Sequence, residues 1–124
     1  MEHMKIVITS YGTDLESKID KGFGRAKWFV LVDTEMGTFE AHSNEQNVNA
    51  AQGAGIQAAQ NVSNLGAEAL LTGNVGPKAF RTLNAASVKI YIVKGDVTVR
   101  QALDEWEEGN LPETSEATIE GHWV

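Results

Sequence analysis

Cysteine is absent from this 124-residue sequence, so any chemistry it supports must come from other groups. That removes disulfides, thiolate-held zinc and iron–sulfur clusters bound through protein thiolates. What remains are glycines at chain reversals, a few cations and three histidines. Ser10-Tyr11-Gly12 closes a first apolar run, Gly53-Ala54-Gly55 opens an apolar-periodic stretch, and Gly73-Asn74-Val75-Gly76 precedes Pro77, a residue suited to a first helical turn. Lys94-Gly95-Asp96 follows the last apolar run. Glycine permits close backbone approach, and a helix start presents N–H groups with no partner inside the helix, so such turns suit an anion. Arg25 and Lys78 would add positive charge, and Asn44 either caps a turn or faces the guest.

Each of these residues also has a plainer role. Gly53 and Gly55 can relieve close helix–sheet packing, Gly73 and Gly76 can serve the turn alone, and Arg25 can be a surface ion-pair partner. Of the histidines, His42 falls on an expected edge strand and faces solvent. His3 has no assigned role. His122, beside Trp123 near the end of the chain, could supply an imidazole to a metal if the tail folds over the cleft. Asp14, Asp33 and Asp96 read as turn residues.

The elements that must position these groups follow from pattern. β-branched and apolar runs at 5–10, 27–33, 38–43, 68–72 and 88–93 read as strands, the second and third joined as an antiparallel hairpin. The segment 13–24 is polar and reads as a loop. Three helices are expected: one after Gly55 ending at Gly66, one from Pro77 anchored by Phe80 and Leu83, and one carrying Val99, Ala102, Leu103 and Trp106 on a single face. In the first of them Ile56, Ala59 and Ser63 share one line, and Ala58, Val62 and Leu65 the next. Strands alternating with helices in the second half mean parallel strands with helical crossovers, so the class is α/β: three layers around a five-stranded mixed sheet with an antiparallel hairpin edge. One domain is predicted over residues 4–111, followed by an acidic tail, 112–124, loosely held from Glu113.

Composition limits the function. A net charge of −7 argues against broad binding to nucleic acid or an acidic membrane. No apolar run is long enough to span a bilayer, and the first residues lack the basic-then-apolar order of a signal peptide, so a cytoplasmic location is expected. Lys and Arg fall mostly in the first quarter and between Lys78 and Arg100, while the stretch from Asp104 to Glu120 holds none, so local basic ground survives in an acidic protein.

Several of these motifs together resemble the dinitrogenase iron–molybdenum cofactor biosynthesis family: Phe23-Gly24-Arg25-Ala26 leading into a strand, Asn44 after the hairpin, Gly53-Ala54-Gly55, the run from Thr72 to Phe80, then Lys89-Ile90-Tyr91 and Val99-Arg100-Gln101-Ala102-Leu103. The likeness covers Met4 to about Leu111. It implies a ribonuclease H-like three-layer fold. It also implies binding and carriage of an iron–molybdenum or related metal–sulfur cluster during assembly or delivery, with the cluster and its assembly proteins as partners. The chain departs from the family pattern at Gln52, where members often carry a histidine. An amide is a much poorer ligand for a soft transition metal.

Catalysis finds no foothold in the sequence. A metal-dependent nuclease needs carboxylates gripping two cations, and the first strand offers Lys5, Thr9 and Ser10 but no acid. No nucleophile elbow, zinc-protease or phosphate-loop motif is present. The chain therefore reads as a carrier rather than an enzyme. A protein-interaction or chaperone module without metal, or a phosphate- or nucleotide-binding domain, are the alternatives the sequence leaves open.

Overall fold

Four of the five strands in this domain point the same way, and that polarity decides where a ligand can sit. A computed structural model of the chain describes residues 4–45 and 53–117. Its elements run β1 (Lys5–Ser10), β2 (Trp28–Asp33), β3 (Thr38–Ser43), α1 (Ala54–Asn64), β4 (Ala69–Thr72), α2 (Pro77–Ala85), β5 (Lys89–Ile92) and α3 (Val99–Glu107). The sheet order is β3-β2-β1-β4-β5. β2 is antiparallel to both β1 and β3, whereas β1, β4 and β5 pair in parallel. β3 consequently runs parallel to β1, and the carboxyl ends of β1, β3, β4 and β5 share one edge of the sheet. The expected three-layer architecture with its hairpin edge is what forms.

Strand alternation divides the core into two layers. Val7, Phe29, Leu31, Leu70 and Ile90 face one side, where α1 and α2 cover them with Ala58, Ala59, Val62, Ala79 and Leu83. Ile6, Ile8, Val30, Val32, Ala69 and Leu71 face the other, under α3 and Ile19 of the β1–β2 connection. Because both faces are covered, β1, β2 and β4 are nearly continuous apolar runs. In α1 the buried arc is Ala54, Ala58, Ala59 and Val62. Ile56 falls outside that arc by the helical angle and is exposed.

The β1–β2 connection is a loop in the sense of lacking helix or strand, yet it is stitched down throughout its length. Ser10 bridges Ile19, Lys18 bridges Thr98, and Gly22 bridges Asn74. Phe23 enters the first core layer and stacks on Phe29 with ring centroids 5.8 Å apart. The acidic tail also departs from expectation. Ile92 donates its N–H to the Pro112 carbonyl and Thr114 donates to Ile90, so Pro112–Thr114 lies antiparallel along the outer edge of β5. β5 is an edge strand whose outward backbone groups need partners, and these residues supply them. The compact unit thus takes in Thr114.

Candidate functional site

Among the described residues, α1, α2 and α3 each start at the edge where the carboxyl ends gather, since each follows one of the strands ending there. In open α/β sheets that edge is where ligands bind. The three starts are not equivalent.

α3 is sealed by its own chain. The Val99 and Arg100 amides donate to the carbonyls of Ser17 and Leu15, both at 2.8 Å. Thr98 and Gln101 close a capping box, with Gln101 N–H donating to Thr98 Oγ1 and Thr98 N–H to Gln101 Oε1. The Lys94-Gly95-Asp96 turn therefore leads to a helix whose first amides are already spent. Ser10 and Gly12 are likewise turned inward on themselves. Ser10 is fully buried, its hydroxyl donates to the Gly12 carbonyl at 2.8 Å and accepts from Gly12 N–H at 3.1 Å. They share the edge with the other candidates but belong to the wall formed by the β1–β2 connection.

The starts of α1 and α2 carry no side-chain cap. Gly53 precedes α1 with φ 78°, a left-handed conformation that favours glycine. Gly76 precedes α2 in an extended conformation, followed by Pro77. The two starts sit side by side: a methyl on Gly55 would lie 3.3 Å from the Ala79 Cβ. The Phe23–Ala26 segment lies against both. Phe23 N–H donates to the Asn74 carbonyl at 3.3 Å, and Gly24 meets the Gly55 backbone. Arg25, Gly53, Gly55, Asn74, Gly76 and Lys78 are in this way brought to one place, with Arg25, Gly53, Asn74 and Lys78 exposed.

Two of the predicted residues have different work there. A methyl on Gly73 would stand 2.7 Å from the Lys21 Cβ and 2.9 Å from its Cα, so Gly73 makes room for the chain beside it. Asn44 is fully buried, and its amide donates to the carbonyls of Gly24 at 3.2 Å and Ala26 at 2.8 Å. It braces the residues on either side of Arg25 from beneath. His42 is half-buried on β3 and its Nε2 lies 3.7 Å from Glu40 Oε1. His122 and Gln52 lie outside the described residues. Pro112–Thr114 runs antiparallel to β5, so the chain there is heading toward the amino ends of the strands, away from the α1 and α2 starts.

One buried residue was missed by sequence reading. Asp20 is 9% exposed, its N–H donates to the Thr9 carbonyl at 2.9 Å, and its carboxylate accepts from Gly22 N–H at 3.2 Å. Burial raises its pKa, opposed by the amides of Gly22 and Lys27 and the Lys27 charge. Thr9 Oγ1 donates to the Asp20 carbonyl and lies 2.9 Å from Thr72 Oγ1, tying the connection to the ends of β1 and β4. The available signal was Asp two residues before Gly, an Asx-turn pattern.

Charge is sorted by the same topology. Seven of the ten Lys and Arg lie at the carboxyl edge: Lys18, Lys21, Arg25, Lys27, Lys78, Lys94 and Arg100. Five acids accompany them: Asp14, Glu16, Asp20, Glu45 and Asp96. The other described residues hold three cations against ten acids. An acidic protein thus presents a locally basic edge. Among the described residues no group of three His, Asp or Glu is placed to hold a metal ion, and no helix is long and apolar enough to cross a membrane.

The domain is thus a three-layer α/β unit whose α1 and α2 starts, without side-chain caps, lie at a locally basic carboxyl edge. The profile of the dinitrogenase iron-molybdenum cofactor family matches residues 4–109, and the chain belongs to that family. It is similar to the apo form of the orange protein from Desulfovibrio gigas, with 38% identity, a TM-score of 0.91, and 95% of this chain and 98% of that one covered. A NifB-like protein from Thermotoga shares 38% identity at a TM-score of 0.82 over 94% of this chain and 97% of its own. An uncharacterised protein of Methanocaldococcus jannaschii is 27% identical over 77 residues, 60% of this chain; the match spans 65% of that protein's length.

Proposed function

We propose that this protein binds an anionic metal–sulfur cluster, of the iron–molybdenum or iron–sulfur type, and carries it as cargo during cofactor assembly or delivery. The observation that carries this reading is the convergence of the α1 and α2 starts with Arg25 and Lys78 at a basic edge of a protein whose net charge is −7. With no cysteine in the chain, the sulfides of the cluster itself are the groups to be recognised, by main-chain N–H donors and by cations rather than by coordination. Family membership and the likeness to the orange protein support a cofactor-associated role and agree with this choice of cargo. The partners that follow are the proteins that build and receive the cluster. A carrier needs no acid, base or nucleophile, and Asp20, the most deeply buried acid among the described residues, is committed to holding its own loop.

The direct test is anaerobic incubation with an iron–molybdenum or iron–sulfur cluster donor, then gel filtration with metal analysis of the protein peak. Metal should co-elute with the wild type and fall sharply in Arg25→Ala and Gly55→Asp, the second placing a carboxylate at the α1 start. Protein that emerges without metal would return the chain to the class of interaction modules. Stabilisation by nucleotides but not by cluster donors or molybdate, in a thermal-shift panel, would reassign the site to phosphate.

A further inference from the structure

Lys21 sits where the basic edge would meet a guest. Its backbone presses on Gly73, at the turn that feeds α2, and the next residue bridges Asn74. Yet its ammonium is not turned to that turn. It pairs with the Asp96 carboxylate at 3.2 Å, and Lys18 Nζ donates to the Asp96 carbonyl at 3.0 Å. Asp96 reaches across from the β5–α3 turn with its side chain 88% exposed, so no burial holds it there. An exposed pair of this kind is weak and easily exchanged for a better partner.

We propose that Asp96 is a built-in competitor for the guest, neutralising Lys21 while the edge is empty and yielding it when a polyanion arrives. The inference rests on the anionic-guest reading above and adds a residue to each side of it: Lys21 as a cluster contact, Asp96 as the group displaced. It also sets a selectivity. A singly charged anion gains little over the carboxylate already present, whereas a guest with two or more charges outcompetes it. Binding would then free the turn around Asp96 from Lys21, so the β5–α3 turn reports occupancy at a distance from the α1 and α2 starts.

Calorimetric titration with tetrathiomolybdate, a dianion with molybdenum–sulfur chemistry, tests this at low ionic strength. Asp96→Asn should bind the probe about two- to fivefold more tightly than wild type, the scale set by an exposed ion pair. Asp14→Asn makes the same change in net charge at the same edge without touching Lys21, and should tighten binding far less. On a Lys21→Ala background the advantage of Asp96→Asn should shrink to that of Asp14→Asn. Equal effects of the two Asn variants, or an Asp96→Asn gain that survives loss of Lys21, would overturn the proposal while leaving the binding edge intact. A wild type that takes up no probe would remove the anionic-guest reading, and this inference with it.

Discussion

Gly24 and Gly55 meet backbone to backbone, so closely that a methyl group on Gly24 would stand 3.1 Å from both the Cα and the amide nitrogen of Gly55. That contact joins the loop carrying Arg25 to the first turn of α1. Gly24 cannot be enlarged without parting the two, because the obstacle is main chain rather than the end of a flexible side chain; a methyl on Gly55 would instead meet the Ala79 Cβ. Gly24→Ala is therefore expected to lower stability by about 1–3 kcal/mol, the usual cost of forcing an extra methyl into a filled space. Urea unfolding would show a lower midpoint with unchanged slope, and metal retention should fall because the loop is displaced from the α1 start. A variant as stable and as metal-competent as the wild type would mean that the contact is looser than it stands here.

Asn44 holds the same loop from the opposite side, through the carbonyls flanking Arg25. Removing the amide leaves those carbonyls short of a donor in a buried setting, which costs about 1–3 kcal/mol. Asn44→Ala should lose stability on that scale, and its cluster binding should weaken through the altered placement of Arg25. If Asn44 instead touched the guest directly, cluster binding would fall with little change in unfolding. The two measurements together separate bracing from contact.

How much of this was legible beforehand depended on the range of the interaction. The strands announced themselves because Ile6-Val7-Ile8 and Phe29-Val30-Leu31-Val32 are apolar on both faces, which happens when both faces are covered. Gly66 and Pro77 marked a helix end and a helix start by local geometry alone. The glycine turns were visible, but not which of them were occupied. That required knowing that Leu15 and Ser17 would fold onto the first turn of α3 and close it. Asp20 escaped for the same reason: its burial exists only once the connection returns over the ends of β1 and β4. The sorting of cations to one edge is a property of strand order, invisible in a linear count of Lys and Arg.

The buried carboxyl of Asp20 gives a pH signature. Its folded pKa is raised above the ordinary 3.8, chiefly by burial, so the folded state binds the proton more tightly than the unfolded chain does. The contribution to stability is then fully present below the unfolded value and is lost as pH rises through the raised folded value. Asp20→Asn keeps an oxygen to accept from Gly22 and abolishes the titration. Plotted against pH, the stability of the wild type minus that of the variant should decline from pH 3.8 upward and level off once the carboxyl is ionised. A difference that is flat, or that increases with pH, would show that the amides and Lys27 outweigh the desolvation.

Charge sorting makes the sharpest demand on the functional reading, because it sets apart cations that composition treats alike. Arg25 and Lys78 lie beside the uncapped helix starts, whereas Lys89 opens β5 at the far edge of the sheet. If the guest is anionic and sits at the carboxyl edge, Arg25→Ala and Lys78→Ala should each weaken cluster binding by about tenfold, roughly 1.4 kcal/mol, the lower end of a charge-assisted hydrogen bond. Lys89→Ala makes an identical change in net charge and should leave affinity nearly unchanged once ionic strength passes 0.1 M or so, where the Debye length is only about 10 Å. Raising salt should erode wild-type binding more steeply than binding by the Arg25→Ala variant, which has fewer cations left to screen. Equal losses in all three variants at moderate salt would mean that only overall charge matters, and the carboxyl edge would lose its claim to the cargo.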